Sequence, residues 1–205
     1  LCMHASLHRL RTDWVDSVLC HDGMIEDPTI FLEGFEVLKE EGRIRSYGIS
    51  TDSLSVLKKF NVHNTCSVVQ INYSLLNRAA ESQLLPYCEE HGIAVMIRGP
   101  LGMGLLSGRY SKETVFTDDI RGPWHESDNQ IKQLEDKLAI VEKLKTRLAS
   151  GESIINAALR YVISHQVNPV AIPGAKSPEQ IIMNAKAGDR GLSDEEYNDI
   201  LRLLN

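Results

Sequence analysis

The chain has 205 residues, with 22 Lys plus Arg against 28 Asp plus Glu and a formal net charge of −6. Acidic and basic residues are interspersed, which argues against nucleic acid or an anionic membrane as partner, because both demand clustered positive charge. With 42% hydrophobic and 24% charged residues the composition is that of an ordinary globular protein; no apolar run approaches the roughly 20 residues of a membrane-spanning helix, and the first residues lack a signal-peptide layout.

Residues 1–10 read as the tail of a helix, in a chain that does not begin with Met. Short apolar, β-branched runs then recur at Val15 to Cys20, Ile44 to Ile49, Ser67 to Ile71, Ile93 to Ile97 and Val170 to Ile172, and are expected to be buried strands. After the first, Asp27 is the expected N-cap and Pro28 the first residue of a helix. Its apolar face would be Phe31, Gly34, Phe35 and Leu38, and Gly42 would close it. A Ser53-led helix follows the second strand, and residues 82–91 form another after the third. The fourth strand leads into a Gly-rich loop at Gly99 to Gly108 and a polar loop through Trp124. A long helix comes next, with Ile131, Leu134, Leu138, Val141 and Leu148 on one face, and then a helix over about 153–165. The last strand precedes a helix after Ser177-Pro178 and another opened by the capping box Ser193 to Glu196.

Strand, helix and strand at this spacing predict parallel β/α units. No stretch rich in Pro, Gly or Ser divides the chain, so residues 1–205 are expected to form a single domain. Five parallel strands could make an open doubly wound sheet. However, the first βα junction, His21-Asp22-Gly23-Met24, has no G-x-G-x-x-G or P-loop fingerprint. The four cysteines, Cys2, Cys20, Cys66 and Cys88, form no C-x-x-C pair. With no His or Cys cluster at zinc spacing, a reducing cytoplasmic setting and no metal are expected.

In parallel β/α folds the chemistry gathers at the carboxyl ends of the strands. Here those ends are His21, Ser50-Thr51, Gln70 to Ser74, Arg98 to Gly102, and Pro173 to Lys176. Each taken singly is better read as a capped helix start or a satisfied loop; their recurrence at one rim carries the weight.

Five strings in order then resemble the aldo-keto reductases. These are Ser6-Leu7-His8-Arg9-Leu10-Arg11-Thr12-Asp13-Trp14-Val15-Asp16 with His21; Gly42-Arg43-Ile44-Arg45-Ser46-Tyr47-Gly48-Ile49-Ser50; and Gln70-Ile71-Asn72-Tyr73-Ser74-Leu75-Leu76. Gly99-Pro100-Leu101-Gly102-Met103-Gly104-Leu105-Leu106-Ser107-Gly108-Arg109-Tyr110 follows. Ile172-Pro173-Gly174-Ala175-Lys176-Ser177-Pro178-Glu179-Gln180 with Asn184 is last. The resemblance implies an α/β fold, a parallel (β/α)8 barrel of the TIM type. These residues correspond to its C-terminal five β/α units, truncated at the N-terminus. It also implies an NADP(H)-dependent oxidoreductase that reduces aldehydes or ketones by hydride transfer, with a small carbonyl compound as substrate.

The family roles carry over residue by residue. His21 matches the catalytic histidine that hydrogen-bonds the substrate carbonyl. Ser50, Thr51 and Gln70 match the group that holds the nicotinamide carboxamide. Arg98, Gly99, Pro100, Leu101, Gly102 and Gly104 match the cofactor loop, and Arg109 and Arg121 the basic residues of the segment that folds over the dinucleotide. Gly174, Lys176, Gln180 and Asn184 match the adenosine end, with Lys176 at the 2′-phosphate. The sequence departs from the pattern at Thr51, where Asn is usual, at Arg98, where an aromatic is frequent, and at Met183, where Glu is frequent. The family's catalytic Asp, proton-donating Tyr and Lys lie before the matched segment, so the chain carries one of four tetrad members. The alternative expectation is therefore an inactive cofactor-binding or structural remnant, in which a partner chain or self-association covers open barrel edges.

Overall fold

A computed structural model describes residues 2–148 and 152–204. The chain packs as two compact units. The first comprises residues up to Asn72, Ala79–Ile97 and Val167–Val170; the second comprises Tyr73–Arg78, Arg98–Gln166 and the residues from Ala171 onward.

The first unit opens with α1 (Cys2–Leu10) and alternates β1 (Val15–Cys20), α2 (Thr29–Glu40), β2 (Ile44–Ser50), α3 (Leu54–Phe60), β3 (Val68–Asn72), α4 (Leu84–His91) and β4 (Ala94–Arg98). The sheet runs in the order β1-β2-β3-β4, with β5 (Val170–Ala171) after β4. The first two pairings are parallel, β1 with β2 from Val15↔Ile44 to Cys20↔Ile49, and β2 with β3 from Gly48↔Val68 to Ser50↔Gln70. Strands placed next to their sequence neighbours, with a helix between each pair, are what repeated β/α units produce.

The central strands are apolar because both faces are covered. Ile49, Val69, Ile71 and Ile97 are fully buried, as are Leu57, Phe60, Leu85 and Cys88 from the intervening helices. Phe35 stacks on Tyr47 with centroids 5.0 Å apart, and Phe60 meets both rings edge-on. Burial and aromatic geometry together fix the seat of α2 and α3 on β2.

Four expectations need correction. The outermost runs are not buried strands: in β1 only Cys20 is buried, and Val170 and Ile172 are 61% and 42% exposed. Each lies at an end of the strand order, where covering elements are fewest. On α2 the buried residues are Leu32 and Phe35, whereas Phe31 and Gly34 lie on the exposed side. Pro28 stands just before the first helical residue, while the Asp27 carboxylate accepts from the Thr29 N–H at 3.0 Å and its hydroxyl at 2.6 Å. These bonds hold the Asp27 carboxyl below its usual range. Gly42 closes α2 as expected, with φ +71° and its N–H on Lys39 O.

In the second unit α5 (Asp128–Arg147) buries Leu134, Leu138, Val141 and Leu144. The expected face ran from Ile131 to Leu148, but Ile131 is exposed and Leu148 leaves the helix with ψ 144°. Leu144, one turn earlier, takes that place. The unit continues with α6 (Ile154–Ile163), α7 (Pro178–Ala187) and α8 (Asp194–Leu204). The capping box before α8 forms as read: Ser193 N–H donates to Glu196 Oε2 at 2.8 Å, and Glu196 N–H to Ser193 Oγ at 3.2 Å.

Candidate active site

The first unit gathers four of the sequence-selected residues. β1 ends at Cys20, paired with Ile49, and His21 is the next residue; Ser50, the residue after Ile49, pairs in turn with Gln70 on β3. His21, Ser50 and Gln70 therefore lie at or just beyond the ends of three adjacent strands, with Ser50 and Gln70 in one rung. Ser50 Oγ donates to Gln70 Oε1 at 3.2 Å, and Gln70 Nε2 lies 3.5 Å from Met96 Sδ on β4. Ser50 is 7% exposed, whereas His21 is open to solvent. Burial raises the Cys20 thiol just before it, so a neutral thiol adjoins the histidine.

Thr51 is 2% exposed and its hydroxyl is committed within the protein. Oγ1 donates to Gly23 O at 2.7 Å and accepts from Ser53 N–H at 3.1 Å. Gly23 was not singled out by sequence, although it lies two residues beyond His21. A Cβ there would stand 2.9 Å from Ser50 O, so the turn after β1 packs on the end of β2 more closely than any other residue allows.

The second unit holds the rest. Arg98 ends β4, and the chain then turns through Gly99, Pro100 and Leu101 into a 3₁₀ segment, Gly102–Ser107. Gly99, Gly102, Met103, Gly104 and Gly108 all have positive φ, from +55° to +91°. Four are glycines, which adopt this backbone freely, and Met103 is the exception. Gly102 N–H donates to Gly99 O, and Gly104 N–H to Leu101 O, which hold the turn in shape.

Arg109 is exposed. Arg121 differs, since its Nη1 donates to Tyr110 Oη at 2.9 Å and its Nε to Asp118 Oδ2 at 2.8 Å, and its guanidinium lies 4.6 Å from the Phe116 ring centroid. Burial raises the Asp118 carboxyl, but hydrogen bonds from the Arg121 backbone and guanidinium outweigh it and hold the group low. Phe116 also meets Tyr110, Trp124 and the His125 ring, and His125 Nε2 accepts the Phe116 N–H at 3.2 Å. A Cβ on Gly104 would lie 3.7 Å from Tyr110 and 3.9 Å from Arg121 Nη1, so this cluster abuts the glycine turn.

At the head of α7, Ser177 caps the helix by accepting from Gln180 N–H. Gln180 Oε1 accepts the Lys176 N–H at 2.6 Å, and Asn184 Nδ2 reaches Gly174 O at 3.5 Å. The Lys176 side chain is exposed beside the helix N-terminus, where cation and backbone N–H groups together suit a phosphate. Among the described residues no group of three or more His, Cys, Asp or Glu is placed to hold a metal, and no helix is long and apolar enough to cross a membrane.

The Aldo/keto reductase family model matches residues 2–205, and the chain belongs to that family. It is 31% identical over 208 residues to the aldo-keto reductase YhdN of Bacillus subtilis, a match covering 97% of this chain and 61% of the relative. It is 30% identical to the NADH-specific methylglyoxal reductase of Escherichia coli, covering 94% and 60%. Among solved structures it superposes with a TM-score of 0.81 on the apo form of aldo-keto reductase AKR11C1 from Bacillus halodurans, at 32% identity over 98% of this chain and 66% of that one. The aldo-keto reductase of Klebsiella pneumoniae in complex with NADP and acetate gives 0.70 at 30% identity, over 98% and 63%. The chain thus spans about 60% of the length of the curated relatives it matches.

Proposed function

We propose that the protein containing this chain reduces aldehydes or ketones with NADPH, on the full (β/α)8 barrel of which these residues supply the C-terminal five units. The observation that carries the reading is the Ser50–Gln70 pair, joined at 3.2 Å across one rung, with His21 directly after the neighbouring strand.

The residues present fit a nicotinamide dinucleotide. With the Ser50 proton on Gln70 Oε1, Ser50 Oγ can still accept from the carboxamide NH2, and Gln70 Nε2, which meets only Met96 Sδ at 3.5 Å, can donate to its oxygen. The left-handed glycines of Gly99–Gly108 let backbone N–H groups come close to phosphate oxygens. Lys176, with Gln180 and Asn184 nearby, offers a cation beside a helix start for the 2′-phosphate, which favours NADP over NAD. Arg98 and the exposed Arg109 supply further positive charge, and Arg121 shapes the segment that covers the dinucleotide. When bound, the cofactor supplies the hydride.

The chain's own contribution to the chemistry is orientation and charge stabilisation. Ser50 and Gln70 fix which face of the nicotinamide ring is presented, and His21 donates a hydrogen bond to the carbonyl oxygen, where negative charge develops. The family's Asp, Tyr and Lys have no matching position in residues 1–205, so the proton donor belongs to the units these residues lack.

Fluorescence titration of the chain with NADPH tests the reading. Saturable binding that Gln70→Leu weakens at least about tenfold is expected, and absence of binding would show that these residues do not form a cofactor site unaided. Saturable binding with no carbonyl-dependent oxidation of NADPH, even by the protein carrying all eight units, would favour an inactive cofactor-binding remnant.

A further inference from the structure

The Thr51 hydroxyl has a single proton, and it is spent on Gly23 O at 2.7 Å. The same oxygen accepts the Ser53 N–H that leads into α3, and the Thr51 backbone N–H donates to Gln70 O at 3.0 Å. At 2% exposure there is little room for the side chain to turn elsewhere. Thr51 therefore has no donor left for a nicotinamide carboxamide, although it stands beside Ser50.

What the hydroxyl holds is the turn that follows His21. Gly23 is two residues beyond the histidine, and its missing Cβ lets the turn rest against Ser50 O, which a Cβ would approach to 2.9 Å. Asp22 secures the turn from the other side, its Oδ1 accepting from Met24 N–H at 3.2 Å and its O from Ile25 N–H at 3.3 Å. His21 is thus bounded by the β1 ladder, which ends at Cys20, and by a turn pinned to the residue next to Ser50.

We infer that Thr51 is a positioning residue, which sets the place of His21 relative to Ser50 by pinning Gly23, and is not a cofactor ligand. The inference rests on the assignment of His21 and Ser50 to carbonyl and cofactor. It matters because a hydrogen-bond donor to a developing oxyanion loses its effect when displaced by about 1 Å.

Three variants separate the roles. Thr51→Val keeps the shape and loses both hydroxyl contacts. Thr51→Ser keeps the hydroxyl. Gly23→Ala forces the turn off Ser50 O while keeping the Thr51 hydroxyl, its Cβ coming only to ordinary contact distance of Thr51, 3.6–3.8 Å. The measurements are the imidazole resonances of His21 by NMR, amide hydrogen exchange at residues 22–25, and NADPH affinity by fluorescence. Thr51→Val and Gly23→Ala should both shift the His21 signals, leave those of His63 and His91 in place, and speed exchange in the turn about fivefold or more. NADPH affinity should change less than about threefold, and Thr51→Ser should restore the wild-type spectrum. Thr51→Val with unmoved His21 signals overturns the inference, most directly if NADPH affinity then falls tenfold, which would make Thr51 a ligand. If Gly23→Ala does not fold, the Thr51→Val and Thr51→Ser pair decides alone. If the protein carrying all eight units binds no NADPH, the proposed function fails, while the His21 and exchange measurements still decide the role of Thr51.

Discussion

Ser50 Oγ donates to Gln70 Oε1 at 3.2 Å across the rung that pairs the two residues on β2 and β3. Side chains on neighbouring parallel strands meet in this way only when the ladder beneath them is in register. The spacing of the two strands is therefore part of the site.

Gly48, two residues before Ser50, controls that spacing. A Cβ there would stand 1.7 Å from Val68 O, the backbone of the paired strand. Gly48→Ala cannot be absorbed by a side-chain shift, and is expected to lower unfolding free energy by more than about 3 kcal/mol or prevent folding. Denaturant unfolding measures it; a loss under about 1 kcal/mol would show that β2 and β3 do not pair as described.

Tyr47, on the preceding residue, predicts an alkaline transition. Burial above all, then the hydrogen bond from its hydroxyl to Glu36 Oε1 at 2.6 Å, pushes its phenol up to about 12. The unfolded value is about 10, so the folded state holds the proton more tightly. Its contribution is fully present below pH ~10 and is lost as pH rises through about 12. Tyr47→Phe should cost about 1 kcal/mol near neutrality. The gap to wild type should close across that alkaline window in urea unfolding at a series of pH values; a constant gap would refute the assignment.

Arg121→Met removes the bonds to Tyr110 and Asp118 and leaves a carboxylate without its cation. The hydrogen bond to Tyr110 and the seat against the Phe116 ring are lost together, so the second unit should lose stability, read as a lower denaturant midpoint. Protease susceptibility of the segment from Ser107 to His125 should rise with it. Unchanged stability with weakened NADPH binding would instead place Arg121 on the dinucleotide itself.

Lys176→Met should weaken NADPH at least about tenfold while leaving NADH nearly unchanged, since a lone cation on a phosphate contributes a charge-assisted contact absent from NADH. Equal losses for both nucleotides would show that Lys176 does not read the 2′-phosphate. The NADH-specific relative at 30% identity makes this comparison informative, because the cofactor preference is not common to all relatives of this chain.

Most of the strands and helices were legible because their signals are local. Apolar runs of five or six residues, Gly42 at a helix end with φ +71°, and the Ser53, Ser177 and Ser193 caps act within one turn of chain. Which apolar residues point inward was less legible. Phe31, Ile131 and Val170 satisfy the periodicity and are nevertheless exposed, because burial depends on what a neighbouring element covers.

The sequence by itself determined the family, the order of β/α units and the identity of the polar residues at the strand ends, since motif, spacing and caps are properties of consecutive residues. Tertiary structure alone decided how those residues are used. That Thr51 spends its proton on Gly23, that Arg121 is held by Tyr110 and Asp118, and that Gly48 faces the Val68 carbonyl each depend on a partner 3 to 28 positions away. A hydroxyl or guanidinium can serve a ligand or the fold with equal chemistry, and only the acceptor within hydrogen-bond distance settles which.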